Sequence, residues 1–139
     1  SRRAIERLGA QLDGILRAYY EVVSGPAGEA PDVARDRSLH HPDAWIAMAG
    51  EDDQGRPYVE RTDLDGYHGD GGPRTAPVYE RELDRTVLRS GNLAHVWSRY
   101  GISASPEGVP EQTGVNSITL FHDGERWWTL GWSFDASVH

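Results

Sequence analysis

The chain opens on a strong helical repeat. Ile5, Leu8, Leu12, Ile15, Leu16, Tyr19, Tyr20 and Val23 recur at three- and four-residue spacing, with Arg7, Gln11, Asp13 and Arg17 between them. That pattern predicts a long amphipathic helix. Ser24-Gly25-Pro26 ends it, because Gly25 suits a left-handed cap and Pro26 cannot continue a helix. Asp32 reads as the N-cap of a short helix running to about Leu39, with Pro42 as its stop. Beyond this point the period changes to two. Residues 44–49 and 57–62 predict two short strands around the turn Asp52-Asp53-Gln54-Gly55. Thr62-Asp63-Leu64-Asp65 is a capping pattern, but Gly66, Gly69, Gly71 and Gly72 keep any helix there short or absent. Longer strands are predicted over 78–89, 93–104, 113–122 and 126–135. Ser90-Gly91-Asn92 and Asp123-Gly124 supply hairpin turns, and 106–110 is a longer loop. Helices followed by an antiparallel meander predict an α+β domain, its N-terminal helices packed in the concave face of a curved, mostly antiparallel sheet.

Composition narrows the classes. A chain of 139 residues suits one domain over 1–139 and can bury one sizeable core. The net charge of −8, with its 14 basic residues (all Arg) scattered, argues against nucleic-acid binding. No apolar run approaches the length of a membrane span, and no secretory h-region follows Ser1-Arg2-Arg3. The absence of cysteine removes disulfides and thiolate metal sites and makes the cytoplasm the default compartment. The six His follow no metal-ligand spacing. Asp63-Leu64-Asp65-Gly66 starts like a calcium loop, but Tyr67 and His68 displace the later ligands. The glycines from Gly66 to Gly72 do not fit a dinucleotide fingerprint either, so no metal and no cofactor is expected.

Strand alternation sorts the remaining candidates. Ala94, Val96, Ser98 and Tyr100 share one face, and His95, Trp97 and Arg99 the other. Asn116 falls in phase with Ile118 and Leu120, and Trp132 with Trp128, Leu130 and Phe134; these apolar-rich sets are expected to face the helices. Asn116 is then an amide in an apolar row: a donor to a ligand carbonyl or oxyanion, or a buried tie to the backbone. Trp45, Trp128 and Trp132 wall an aromatic pocket or fill the core. Trp97, with Phe121 near in phase, lies on the face that the chain's own helices cannot cover, which predicts a homodimer through that face.

Several local strings resemble the nuclear transport factor 2-like (NTF2-like) superfamily, the cystatin-like α+β cone that includes SnoaL-like cyclases, ketosteroid isomerases and dehydratases. They are Tyr19-Tyr20, Leu39-His40-His41-Pro42-Asp43-Ala44, Gly91-Asn92-Leu93-Ala94-His95-Val96, Asn116-Ser117-Ile118 and Asp123-Gly124-Glu125-Arg126-Trp127-Trp128. The resemblance implies a bacterial pocket protein binding a hydrophobic small molecule between the long helix and the sheet. Its action would be that of an acid–base isomerase, cyclase or dehydratase on a hydrophobic carbonyl or aromatic metabolite. A non-catalytic binding or dimerisation module is the alternative. Asn116 matches an oxyanion-hole acid of the isomerase pattern, and Tyr19 or Tyr20 its helix tyrosine. The base position of that pattern is Met48, which cannot accept a proton. His41, Asp43 and Asp135 remain as candidate bases, with His41 the best suited near neutrality or else a helix cap. Tyr19, Tyr20, Trp45, Asn116 and Trp132 are the expected ligand contacts, and the Gly66–Gly72 segment a lid or a plain turn.

Overall fold

A computed structural model describes residues 2–69 and 71–137. Helix α1 spans Arg2–Val23 and α2 spans Val33–Leu39. Strands β1 (His40–Glu51) and β2 (Pro57–Thr62) follow, then a one-turn helix α3 (Leu64–His68). Strands β3 (Tyr79–Ser90), β4 (Leu93–Ser103), β5 (Gln112–His122) and β6 (Trp127–Asp135) complete the chain. The six strands form one curved sheet in the order β2-β1-β6-β5-β4-β3. All neighbours are antiparallel except β1 and β6, which run parallel.

The apolar stripe of α1 drives its packing: Leu12, Ile15, Leu16, Tyr19 and Tyr20 are buried against Val96, Ile118 and Leu120 from the middle of the sheet. α1 therefore lies across the sheet face between β6 and β3. Ser24 Oγ locks its end, accepting from the Glu80 N–H at 2.9 Å and lying 2.8 Å from the Tyr20 carbonyl it donates to. Among the described residues no helix is long and apolar enough to cross a membrane.

One boundary differs from the sequence expectation. β1 begins at His40, directly after α2, and Pro42 does not separate them. Pro42 falls between His40 and Trp45, where the β1–β6 ladder is interrupted, so its missing N–H breaks no rung there. Of the two alternatives for the next segment, a short helix or none, the short one forms: Asp63 caps α3, its Oδ1 accepting from the Gly66 N–H at 2.8 Å.

A second difference concerns phase. β6 carries an extra residue at Leu130, since Leu120 pairs with Thr129 but Thr119 with Gly131. This β-bulge switches the faces. Trp127 and Thr129 point inward before it and Trp132 after it, whereas Trp128 and Leu130 lie only partly buried. Trp128 instead donates its indole N–H to Asp123 at 2.8 Å and lies under the Arg126 guanidinium.

Candidate functional site

A cavity of about 190 Å³ lies between the C-terminal half of α1 and the sheet. Tyr19 and Val23 of α1, Tyr67 of α3 and Trp132 and Phe134 of β6 give it aromatic and aliphatic walls. Trp132 is held between Tyr19 and Tyr67, both edge-on, with ring centroids 5.9 and 4.9 Å away. Polar groups enter from the other sides: Asp36 of α2, His40 of β1, Glu80 of β3, Tyr100 of β4 and Asn116 of β5.

The His40 corner is closed. The indole N–H of Trp132 donates to His40 Nε2 at 2.9 Å. Since indole is a donor only, Nε2 must accept, and Nδ1 carries the proton that reaches the Asp36 carbonyl at 2.8 Å. His40 is thereby the cap of α2, and both its nitrogens are used. The Asp36 carboxylate accepts from His68 Nε2 at 2.7 Å, which ties α3, and with it Tyr67, to α2.

The opposite corner holds Glu80. Its carboxyl is pushed up from 4.5 to about 7, because burial disfavours the charged form and the one opposing influence is the hydrogen bond from Asn116 Nδ2 at 3.2 Å. Among the described residues no cation pairs with it. Burial, reinforced by the Glu80 charge, raises the phenols of Tyr19, Tyr67 and Tyr100; Tyr67 reaches about 12. These three hydroxyls remain protonated donors at neutral pH, and among the described residues none has a hydrogen-bond partner. Tyr19 and Tyr100 are nonetheless only 6% and 8% exposed.

Asn116 and Tyr20 belong to a separate chain of bonds. Asn116 Nδ2 donates to Tyr20 Oη at 3.2 Å, Tyr20 and Ser98 hydroxyls lie 2.6 Å apart, and Ser98 Oγ donates to Glu82 Oε2 at 2.5 Å. Burial raises the Tyr20 phenol as well. The Glu82 carboxylate is held by Arg85, which also bonds Asp13 of α1. Glu82 and Arg85 would point to opposite faces of an ideal strand. A bulge between Glu82 and Asp84 puts them on the same one.

The structure thus brings Tyr19, Asn116 and Trp132 to one cavity, with Tyr20 behind Asn116. It does not bring His41, Asp43 or Trp45 there. Because β1 is already extended at His40, alternation sends His40 inward and His41 outward, where the His41 ring meets Phe121 and Trp128. Asp43 has a 90% exposed side chain, and its N–H donates to His41 Nδ1. Trp45 pairs with Gly131 and packs flat on it, so that a Cβ at Gly131 would strike the indole. Asp135 is exposed at the end of β6, held below the usual carboxylate range by bonds from Ser137. Met48 packs against the core beside the cavity. The pocket is also more compact than the roomy aromatic pocket that three Trp would wall. Glu80, Asp36, His40, Tyr67 and Tyr100 are the site residues that the sequence pattern did not reveal. Tyr100 could have been found, since it shares the inward phase of Ser98.

Comparison with known proteins gives the fold its class. No family model and no curated protein matches the chain. Among solved structures, the chain is similar to an NTF2-like protein of unknown function from Silicibacter pomeroyi, at 10% identity, with 94% of this chain and 96% of that one covered and a TM-score of 0.62. The beta subunit of a proposed aromatic-ring-hydroxylating dioxygenase from Novosphingobium aromaticivorans is 11% identical over 96% and 92%, with a TM-score of 0.61. A protein of unknown function with a cystatin-like fold from Nostoc punctiforme is 12% identical over 96% and 90%, with a TM-score of 0.54. The chain has the NTF2-like, cystatin-like α+β fold.

Proposed function

We propose that the cavity binds a ring-sized, oxygen-bearing molecule, a hydrophobic carbonyl compound or single-ring aromatic, and that Glu80 moves a proton on it. The observation that carries this reading is the pair of unpartnered, nine-tenths buried phenols of Tyr19 and Tyr100 sharing a cavity with Glu80. Among the described residues no buried side-chain donor is left unmatched, so these hydroxyls open onto the cavity and are free to donate to a ligand oxygen there. The same donors suit an oxyanion that develops when a carbon next to a carbonyl loses its proton. A carboxyl pushed up to about 7 is divided between its acid and base forms at neutral pH, so it can take that proton and return it elsewhere. This is the minimum that an isomerase or dehydratase requires. The size supports a small ligand, since an apolar cavity of about 150 Å³ accommodates benzene.

Cyclohexanone in D₂O provides the test, with exchange of its α-protons followed by proton NMR and binding followed by protein amide shifts. Native protein should accelerate exchange, and Glu80→Gln should lose on the order of 10²-fold while still binding. Binding without acceleration would leave a non-catalytic binding domain. No binding at all would end the reading.

We also infer that a second copy of the chain covers the outer sheet face. Trp97 is 53% exposed beside Val59, Val115 and Ala47, in an apolar groove of about 560 Å³. The 106–110 loop does not fold over it: Pro110 packs on Gly101, and Val109 is itself 87% exposed. Phe121 is less available than Trp97, being partly covered by His41.

A further inference from the structure

The groove between α1 and β3, about 500 Å³ in volume, shares Glu80 with the cavity and holds Glu82 and Arg85 on its wall. The chain of bonds from this groove to the cavity has only one consistent direction. Arg85 Nε donates to Glu82 Oε1 at 2.6 Å, and Glu82 Oε2 accepts from Ser98. Ser98 has a single hydroxyl hydrogen, and Glu82 takes it. Tyr20 must therefore donate to Ser98 and can only accept from Asn116. Asn116 in turn must present its amide nitrogen, whose second hydrogen reaches Glu80 Oε1. Its Oδ1 has no partner among the described residues.

We propose that Glu82 is a positioning residue that fixes the polarity of this chain. Asn116 then commits both amide hydrogens within the protein and offers only an acceptor to the ligand. The sequence expectation of Asn116 as a donor to a ligand carbonyl is thereby reversed. Resting on the proposed function, this names the ligand more closely: it carries a hydroxyl toward Asn116 as well as an oxygen that accepts from the tyrosines. A phenol or hydroxylated cyclic carbonyl has both. The same polarity gives the Glu80 carboxylate its one hydrogen-bond donor among the described residues.

Glu80 is faced by titratable groups from every element packed around it. Tyr19 and Tyr20 face it from α1, Tyr67 from α3 and Tyr100 from β4; Asp36 of α2 lines the far side of the cavity. Across the groove stand Asp13, Arg17 and Glu21 of α1, with Arg81, Glu82 and Arg85 of β3. Removing the charge of Glu82 would by itself lower the Glu80 midpoint, since a nearby negative charge is lost. Reversing the chain raises it. Glu82→Gln does both, and the reversal outweighs the lost charge: Arg85 keeps the amide oxygen, the amide nitrogen faces Ser98, and every bond turns round until Tyr20 donates to Asn116 Oδ1. Glu80 then loses its donor.

The experiment is a ¹³C-carboxyl NMR titration of the ligand-free protein, with Glu80 assigned through Glu80→Gln. Glu82→Gln should raise the Glu80 midpoint by about one pH unit. Ser98→Ala, which cuts the chain at a fully buried small side chain, should raise it by less. A fall or no change in Glu82→Gln overturns the proposal. If that variant does not fold, an unchanged midpoint in Ser98→Ala overturns it equally. Phenol should bind the native chain about tenfold more tightly than its methyl ether, a preference lost in Glu82→Gln; no preference in the native chain overturns the ligand assignment. Failure of both to bind removes the proposed function, while the titration still decides the polarity of the chain.

Discussion

Glu80 makes the stability of this protein depend on pH with a sign opposite to that of most carboxylates. In the unfolded chain the group titrates at its ordinary 4.5, and in the folded chain at about 7. Below pH 4.5 it is protonated in both states and costs nothing. As the pH rises, the unfolded chain releases the proton first, so folding loses free energy until the folded carboxyl also ionises. The loss runs from about pH 4.5 to about pH 7 and is then complete. At about 1.4 kcal/mol per pH unit it amounts to about 3 kcal/mol. Glu80→Gln mimics the protonated carboxyl at every pH and should escape the loss. Urea unfolding of both proteins at pH 4, 5, 6, 7 and 8, at a single protein concentration, gives the comparison directly. With a slope of about 1.5–2 kcal/mol/M, the native midpoint should fall by roughly 1.5–2 M more than that of the variant. Carboxylates held low by their hydrogen bonds, such as Asp123 at about 2, weaken the fold only at acid pH and are shared by both proteins, so they cancel in the difference. Two curves that stay parallel within about 0.5 kcal/mol from pH 4 to pH 8 would refute the argument.

Two further outcomes follow from the packing. Gly131→Ala should destabilise the fold by about 1–3 kcal/mol, read by urea unfolding, because the new Cβ displaces the Trp45 indole; phenol binding should not change, since Trp45 lies outside the cavity. Trp97→Arg should convert a dimer into a 15.4 kDa species by sedimentation while leaving the Glu80 titration where it was, and a native chain that already sediments at 15.4 kDa would refute the dimer.

Much of the fold is legible because its elements are long and their punctuation is local. α1 is fixed by its run of apolar positions at helical spacing and by Ser24-Gly25-Pro26. The β3–β4 and β5–β6 hairpins are fixed by turns in which Gly91 and Gly124 take φ values of 58° and 104°, a region that glycine enters without strain. The helix-to-strand junction is less legible. Pro42 looks like a stop, and only the interrupted ladder opposite it shows why a strand can run through. That misplacement by a few residues exchanged His41 for His40 as the histidine of the cavity.

The carboxylates of the site are hidden for a stronger reason. The Gly91-Asn92 turn sets a register in which Ser90 faces Leu93, and this register continues unbroken to Asp84 opposite Arg99. Extended further, it would set Leu83 against Tyr100 and Arg81 against Ile102. Leu83 and Arg81 would then point inward, and Glu80 and Glu82 would point to solvent. One extra residue at Leu83 reverses this, so that Glu82 faces Tyr100 and Glu80 faces Ile102. The bulge in β6 has the same consequence for Trp132, which pairs with Ile118 only because Leu130 is passed over. Neither bulge carries a glycine or proline at the extra position to announce it. Each changes which residue the inner face receives: Glu80 in place of Arg81 and Glu82 in place of Leu83 in one strand, Trp132 in place of Gly131 in the other. Turning the Glu80 carboxylate inward costs the folded chain free energy, and the unbroken register would have turned the Arg81 guanidinium inward in its place. The bulge in β3 therefore sets the sign of the charge that the cavity receives, a carboxylate able to accept a proton in place of a guanidinium that is always charged.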